Sequence, residues 1–281
     1  MSAELTSPFA RCDGQEQAVL LEFLERQSQV LGGLDRPLVW EVLQGRRDLS
    51  LVDFGCGDGS YLEALVRGAP RTMFAAVVGV DIQACWIDAC RRRSWLTPAD
   101  FHLGDIGDLQ WGREGGVDVV VSRFTLISAK DLAGAIRSAH HMLKPGGLMI
   151  AIESSYGLAQ ALNTSPAMTG FSERMIAWYR RAGSSPDLGP QLWKPLAQEG
   201  FTVMRDLVLI YGNSTLGAEP MAQFTAMTAR QLGSVYPDIF PAAYADALLR
   251  ALRHDFSEGL LGCMATNLVV GQKNGPGPAT G

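Results

Sequence analysis

The chain has 281 residues, 47% apolar and 19% charged, which is typical of one large or two modest globular domains with a well-filled core. Its formal net charge of −5 argues against a nucleic acid partner, because phosphate binding requires a concentrated basic face. The five cysteines and four histidines lack zinc-site spacing, and no signal-peptide or membrane-spanning pattern is present, so we expect a reduced cytoplasmic protein without metal or membrane partner.

Residues 1–47 are predicted to form an N-terminal helical cap. Apolar residues recur at helical intervals over 15–29. The Gly-Gly pair at 32–33 is expected to break this helix, and Pro37 is expected to begin a second helix.

Residues 48–153 are predicted to form an α/β core that begins with a nucleotide-binding corner. Residues 51–54 have the apolar run of a short buried strand, a glycine-rich turn follows, and 60–66 has the apolar spacing of a helix. A strand, a tight glycine turn and a helix place a ligand across the carboxyl end of the strand.

The glycine turn contains Gly55, Gly57 and Gly59, a spacing that differs from the G-x-G-x-x-G of a dinucleotide fingerprint. Asp53 precedes this turn and Asp58 lies within it. Because a pyrophosphate site normally presents N–H groups and no carboxylates, an acidic turn indicates a ligand with positive centres, such as an ammonium and a sulfonium. The pattern points to S-adenosylmethionine, and a purely structural glycine turn in another α/β protein is the alternative.

The rest of the core alternates strands with helices, as expected for a parallel sheet covered on both faces. Strands are predicted over 74–81, 100–103, 117–122 and 148–153, and helices over 83–93 and 130–143. The Lys-Pro-Gly-Gly segment at 144–147 is predicted to be a turn before the fifth strand. Asp81 ends the second strand, where a carboxylate can accept hydrogen bonds from both ribose hydroxyls.

Four features of this core together resemble the class I S-adenosylmethionine-dependent methyltransferases. They are the turn at 52–59, which fits the family pattern [VL]-[DE]-x-G-x-G-x-G, the acid Asp81, the Gly-Asp-Ile at 104–106, and the Leu-Lys-Pro-Gly-Gly at 143–147. The resemblance covers about 48–153. It implies a doubly wound, Rossmann-like seven-stranded sheet with an antiparallel last strand, and S-adenosylmethionine as the cofactor.

The resemblance also implies which residues hold the cofactor. Asp105 and Ile106 would recognise adenine, and the end of the fourth strand would face the methyl group and its acceptor. For Arg123 two roles stay open, which are pairing with a carboxylate of the substrate or cofactor, and a structural ion pair with an acid such as Asp105. The full expected cofactor set is Asp53, Gly55, Gly57, Gly59, Asp81, Ile82, Asp105, Ile106, Ser122 and Arg123.

Residues 154–273 are predicted to complete the sheet and to add helical insertions on the substrate side. Strands are expected over 201–211 and 264–270, with the last strand between the fifth and the sixth, and helices over 172–181, 192–199 and most of 212–259. Aromatic and methionine residues of the insertions suit either an apolar small-molecule pocket or the core of a helical cap. Residues 274–281 are expected to be a flexible tail, and we expect one domain overall.

The N-terminal cap has two interpretations. In methyltransferases of this type such a segment often folds over the cofactor, and plain packing on the sheet edge is the alternative.

Methyl transfer from a sulfonium is an in-line displacement that mainly requires the acceptor atom to lie about 3 Å from the methyl carbon. A hydroxyl acceptor also needs a general base within hydrogen-bond reach. The family often has a histidine soon after the fourth strand, but 124–128 contains none. Glu153, Tyr156 and His254 are therefore the candidate catalytic residues, and orienting the loop backbone is the alternative role of the first two.

The sequence thus predicts a methyltransferase that acts on a small-molecule metabolite or natural-product intermediate, at an oxygen or a nitrogen. We also expect that the chain can form a homodimer. A protein or peptide methyltransferase and a non-catalytic S-adenosylmethionine-binding protein are the alternatives.

Overall fold

A computed structural model describes residues 14–108, 114–181 and 183–275 of the chain. The first 13 residues of the predicted cap and residues 276–281 of the predicted tail lie outside the described residues. Within the described ranges, no helix combines the length and the apolar character needed to cross a membrane.

The helices and strands alternate through the core. The helices are α1 (Gly14–Val30), α2 (Gly32–Val42), α3 (Ser60–Gly68), α4 (Ala84–Arg92), α5 (Leu132–Met142), α6 (Tyr156–Leu162), α7 (Pro166–Arg181), α8 (Trp193–Gln198), α9 (Asn213–Leu216), α10 (Ala218–Val235) and α11 (Tyr244–Ser257). The strands are β1 (Leu49–Phe54), β2 (Phe74–Asp81), β3 (Ala99–Leu103), β4 (Val117–Arg123), β5 (Leu143–Ser154), β6 (Phe201–Gly212) and β7 (Cys263–Lys273).

The seven strands form one sheet in the order β3-β2-β1-β4-β5-β7-β6. Strands β1 to β5 pair in parallel, and the last strand is antiparallel. The predicted Rossmann-like sheet, with β7 between β5 and β6, is confirmed. In β4 the valines at 119–121 are completely buried, as expected for a central parallel strand with both faces covered.

The Lys-Pro-Gly-Gly segment lies inside β5 and not before it. Val117 pairs with Leu143 and Val119 pairs with Leu148, so residues 144–147 form an excursion opposite Asp118. The excursion is stabilised by Lys144, whose Nζ donates to Asp118 Oδ1 at 2.7 Å. The predicted reversal is therefore a bulge within a strand.

Two helix starts differ from the expectation. The break between the N-terminal helices lies at Leu31, and Pro37 is inside α2, so its missing N–H removes one helical hydrogen bond in the middle of α2. Helix α7 begins at Pro166, earlier than predicted. Ser165 precedes this proline, and its Oγ accepts a hydrogen bond from Met168 N at 3.1 Å, which is the usual capping arrangement.

The chain divides into two compact units. The first unit comprises the described residues within 1–34, 154–188 and 208–266, and the second unit those within 35–153, 189–207 and 267–281. In the first unit, α1 packs on α10, where the rings of Phe23 and Phe224 are stacked with centroids 6.1 Å apart. In the second unit, α2 packs on α3, since Trp40 Nε1 donates to Leu65 O at 3.0 Å.

Gly79 in β2 is a position where the core has no room for a side chain. A Cβ there would lie 2.7 Å from the ring of Phe101 and 2.8 Å from Cys56 Sγ. We expect Gly79→Ala to lower the free energy of unfolding by about 1–3 kcal/mol, because an added methyl forces packed groups apart. Urea unfolding followed by circular dichroism measures this change.

Gly33→Ala is the matched control. Gly33 lies in α2, and its added Cβ would meet no atom within 4 Å. This variant should gain about 0.5–1 kcal/mol, because alanine is a better helix former than glycine. Equal effects at the two positions would contradict the packing at Gly79.

Candidate active site

The turn between β1 and α3 is built from three glycines in the left-handed region of backbone space. The φ angles are +71° at Gly55, +53° at Gly57 and +80° at Gly59. At Gly55 space is also limiting, because a Cβ would lie 2.2 Å from Thr125 Oγ1. Only glycine adopts this sequence of angles without strain, so the turn presents bare backbone.

Asp81 ties this turn to the end of β2. Its Oδ2 accepts a hydrogen bond from Gly57 N at 3.0 Å, and its Oδ1 accepts one from Gln83 N at 3.0 Å. Burial raises the pKa of Asp81, and the N–H donors of Gln83, Gly57 and Ile82 partly offset this rise. Gly104 N donates to Asp81 O at 3.0 Å. The turns after β1 and β3 are therefore both held at Asp81.

Apolar surface surrounds the Asp81 corner. Leu103 pairs with Asp81 in the sheet, and Ile82 follows Asp81 in the chain. Both apolar side chains are unusually exposed, Ile82 by 53% and Leu103 by 56%. Asp105 and Ile106 follow β3 directly, and Ile106 is buried. A carboxylate beside exposed aliphatic side chains fits a ribose joined to a flat ring, and Leu103 is a member that the sequence analysis missed.

Asp53 lies in β1 with its side chain buried. Burial is the main cause that raises the pKa of Asp53 to about 8, the nearby Asp81 raises it further, and Arg123 lowers it. Asp53 is therefore mostly protonated at neutral pH. A cation bound beside it would favour the ionised carboxylate.

Asp58 does not have the ligand-facing role that the acidic turn suggested. It is buried and forms an ion pair with Arg93. Its Oδ1 also accepts from Ser60 N at 3.1 Å and from Ser60 Oγ at 2.7 Å. Because Arg93 neutralises this charge, the expectation that Asp58 contributes to a cation site is wrong, and Asp53 and Asp81 are the acids of this corner.

Arg123 forms a buried ion pair at the end of β4. Its Nε lies 2.8 Å from Asp35 Oδ2, and its guanidinium lies 4.5 Å from the ring centroid of Tyr61 and 4.6 Å from that of Phe124. A structural ion pair was one of the two expected roles, but its partner is Asp35 of α2 and not Asp105. No pattern in the sequence marks Asp35, which is 88 residues from Arg123.

Glu153 holds the chain segment that follows β4. Its Oε1 accepts hydrogen bonds from Thr125 N at 3.0 Å and Leu126 N at 2.7 Å. Within the described residues, its buried Oε2 has no hydrogen-bond partner. Burial raises the pKa of Glu153 to about 8, against the opposing effect of the backbone donors and Arg123. Glu153 thus orients the loop backbone, which is one of its two expected roles.

Ser122 and Phe124 complete the end of β4. Ser122 pairs with Phe54 of β1 and Ala151 of β5, and its Oγ is buried without a hydrogen-bond partner in the described part of the chain. Phe124 has a φ of +56°, which is uncommon for a residue other than glycine. Its N–H donates to Ile152 O at 2.9 Å. Such a strained residue is typical of a functional site.

Tyr156 and His254 lie in the first unit. The hydroxyl of Tyr156 is hydrogen-bonded to the side chains of Tyr179 and Ser154, and burial raises its pKa. His254 is exposed in the last turn of α11, where its carbonyl accepts a hydrogen bond from Ser257 Oγ at 2.7 Å. No cluster of three or more potential metal-ligating side chains occurs among the described residues.

Residues 52–151 match the family model of the methyltransferase domain. This range contains the glycine turn, Asp81, the 104–106 segment and the end of β4. The region of family similarity therefore lies in the second unit and contains the strand ends around Asp81.

Two curated relatives match part of the chain. An uncharacterized 37.1 kDa protein in transposon TN4556 of Streptomyces fradiae is 29% identical over 122 residues, which are 43% of this chain and 34% of that protein. Lovastatin diketide synthase mokB of Monascus pilosus is 26% identical over 164 residues, which are 54% of this chain and 6% of that protein. The chain thus spans about a third or less of the length of these relatives.

The crystal structure of the [4+2]-cyclase SpnF has a similar fold. The similarity has a TM-score of 0.57 at 20% sequence identity, and it covers 86% of this chain and 80% of that one.

We expect the stability of the protein without ligand to fall as the pH rises towards 8. The folded-state pKa of Asp53, about 8, lies above its ordinary value of 3.8, so the folded protein retains a proton that the unfolded chain releases. The stabilising contribution is therefore complete below about pH 4 and is lost as the pH rises through about 8. Asp53→Asn should lose less stability than the wild type over this range in urea unfolding.

Glu258→Gln is the control for this pH dependence. Glu258 is an exposed acid just after α11, and its variant should follow the wild type at every pH. Parallel curves for Asp53→Asn and the wild type would show that Asp53 does not retain its proton. The free energy of unfolding of Asp53→Asn should still depend on pH, because Glu153 also has a raised pKa.

The Asp35–Arg123 pair should contribute strongly to stability. Asp35→Ala should lower the free energy of unfolding by roughly 3–5 kcal/mol, because it leaves a buried guanidinium without its carboxylate. The double variant with Arg123→Met should cost clearly less than the sum of the single variants. Glu41→Ala is the control, since Glu41 of α2 pairs with Arg205 on the surface and should cost under about 1 kcal/mol. Additive free energies in this cycle would contradict the pairing.

Proposed function

We propose that the protein transfers a methyl group from S-adenosylmethionine to a small organic molecule, because residues 52–151 match the family model of the methyltransferase domain. The acceptor atom is an oxygen or nitrogen of a metabolite or natural-product intermediate. The observation that carries this proposal is the corner in which Asp81 binds the glycine turn through Gly57 N.

The carboxyl ends of β1, β2 and β3 fit S-adenosylmethionine. Asp81 can accept hydrogen bonds from the ribose hydroxyls, and Ile82 and Leu103 offer exposed apolar surface to the adenine. The bare glycine turn permits close approach of a ligand to the backbone. Asp53 can complement a positive centre of the cofactor, because a nearby cation favours its ionised form.

S-adenosylmethionine supplies an electrophilic methyl carbon when it is bound. The chain then has to position the acceptor and exclude water, since an in-line displacement requires little else. Glu153 supports this task by fixing the backbone of Thr125 and Leu126 where β4 ends. For a hydroxyl acceptor, Glu153 is also our candidate general base, because its pKa of about 8 is suited to accepting a proton near neutral pH.

Two observations support a small natural-product acceptor. Helices α7 and α10 bury methionine and aromatic side chains, which are residue types suited to varied apolar ligands; they include Met168, Phe171, Met175, Trp178, Tyr179, Met221 and Phe224. The partial similarity to a lovastatin diketide synthase supports an intermediate of natural-product synthesis.

A second candidate function is binding of S-adenosylmethionine without methyl transfer to an acceptor. The fold is compatible with this candidate, because SpnF, whose name describes a cyclisation, has a similar fold. Binding and methyl transfer therefore have to be measured separately.

Calorimetric titration with S-adenosylmethionine and, separately, with NAD tests the cofactor. We expect micromolar binding of S-adenosylmethionine and none of NAD, and binding of NAD alone would overturn the proposal. Incubation with a panel of phenols, amines and hydroxy acids, followed by mass spectrometry for methylated product and S-adenosylhomocysteine, tests transfer. Cofactor binding without any methylated product would favour the second candidate.

Asp81→Ala should weaken S-adenosylmethionine binding at least about thirtyfold, or ~2 kcal/mol, because ribose hydrogen bonds and the acceptor of Gly57 N are lost together. Asp88→Ala is the control, because Asp88 is an exposed acid of α4 with a 3.7 Å contact to Arg91. This control should bind like the wild type. Unchanged affinity in Asp81→Ala would remove Asp81 from the site.

A further inference from the structure

We propose that an aromatic cluster in the first unit, formed by Tyr156, Trp178, Tyr179 and Tyr236, is the subsite for the methyl acceptor. In this subsite the indole N–H of Trp178 donates a hydrogen bond to an oxygen of a planar, unsaturated substrate. The inference rests on the proposed function, because it takes the ligand of this unit to be the organic acceptor.

The four rings of the aromatic cluster contact one another in sequence. Tyr156 and Tyr179 have ring centroids 5.4 Å apart, Tyr179 and Trp178 are 4.4 Å apart, and Trp178 and Tyr236 are 5.8 Å apart. Their interplanar angles lie between 46° and 58°, within the tilted arrangements that aromatic pairs favour. Tyr156 begins α6, Trp178 and Tyr179 lie in α7, and Tyr236 follows α10. Three helical segments thus meet at Trp178 and Tyr179.

The polar edge of Trp178 is unsatisfied. Only 3% of this residue is exposed, and its Nε1 is buried with no hydrogen-bond partner among the described residues. A buried tryptophan N–H normally has a partner, because leaving the donor unpaired loses its hydration without replacement. A ligand oxygen would supply the missing acceptor.

Tyr156 connects the cluster to the end of β5. Tyr156 is the second residue after Ser154, at which β5 ends. Its hydroxyl is hydrogen-bonded to Ser154 and Tyr179, so the ring is fixed next to the carboxyl end of the strand. Ligands of doubly wound sheets bind outside the carboxyl ends of the strands. Tyr156 therefore extends the cluster to the residues that follow β5 in the chain.

The chemistry of the cluster selects the class of substrate. The cluster consists of tyrosine and tryptophan side chains without a carboxylate or a basic group, and burial raises the pKa of Tyr156 further from neutrality. A charged substrate group would lose its hydration there without compensation. An aromatic cluster with one buried N–H donor fits a neutral aromatic or conjugated molecule that carries a carbonyl or hydroxyl oxygen.

A matched pair of probes tests the donor in the wild-type protein. The probes are 2-acetylnaphthalene, which has a carbonyl acceptor, and 2-ethylnaphthalene, which has a similar shape without one. Titration of each into the full chain saturated with S-adenosylhomocysteine should give about tenfold tighter binding of the ketone. Equal affinities, or no measurable binding of either probe, would overturn the inference.

Trp178→Phe keeps an aromatic ring and removes the N–H. This variant should bind the ketone as weakly as the hydrocarbon, while its affinity for the hydrocarbon stays near the wild-type value. Trp193→Phe is the matched control, because Trp193 lies in α8 and is 44% exposed, and it should retain the wild-type preference. A preference for the ketone that survives in Trp178→Phe would also overturn the inference.

The outcomes separate this inference from the proposed function. Circular dichroism and a titration with S-adenosylmethionine establish that each variant is folded, and the two-probe comparison in the wild type requires no variant. Normal binding of S-adenosylmethionine without a ketone preference would refute the subsite alone. Failure of the wild type to bind S-adenosylmethionine would refute the proposed function, whatever the probes show.

Discussion

The hydrogen bond from Gly57 N to Asp81 Oδ2, 3.0 Å long, is the contact on which the proposed cofactor site depends. It requires a left-handed glycine at the turn after β1 and an acid at the end of β2, and it joins the two strand ends. The carbonyl of Asp81 also accepts from Gly104 N, so the turn after β3 is held at the same residue. This convergence has an electrostatic cost, because Asp81 raises the pKa of the buried Asp53. A cationic ligand relieves that cost, which gives the site a physical preference for a sulfonium or ammonium over a phosphate.

Two buried ionisable side chains, Arg123 and Glu153, stabilise the end of β4 through different partners. Arg123 forms an ion pair with Asp35 of α2, and its guanidinium lies against the rings of Tyr61 and Phe124. Glu153 is compensated by backbone N–H donors of the loop that it orients. The first side chain anchors α2 to the carboxyl edge of the sheet, and the second fixes the loop that an acceptor would approach. Removing either partner would therefore disturb geometry as well as charge.

The sequence predicted the elements that depend on residues close together in the chain. The bounds of β2 follow from an apolar run that ends in an acid, and the glycine turn follows from spacing that left-handed backbone angles require. Residues that are distant in the chain and meet only in the folded protein leave no such pattern in the sequence. The ion pairs Asp58–Arg93 and Asp35–Arg123 were therefore not predictable. The bulge at 144–147 was missed for a related reason. Proline and glycine indicate a turn, but the sequence does not reveal that strand pairing continues on both sides of it.

The family similarity covers only residues 52–151. We attribute this extent to a difference between the recognition of the cofactor and the recognition of the proposed acceptor. Binding of a charged cofactor depends on specific carboxylates and on glycine backbone angles, and the matched range 52–151 contains these features. Binding of a neutral, flat acceptor depends on apolar volume, which many combinations of side chains can supply. The aromatic cluster begins at Tyr156, just beyond that range. Apolar volume does not explain the N–H of Trp178, which has no hydrogen-bond partner among the described residues. For that reason the proposed acceptor subsite depends on Trp178 more than on the surrounding rings.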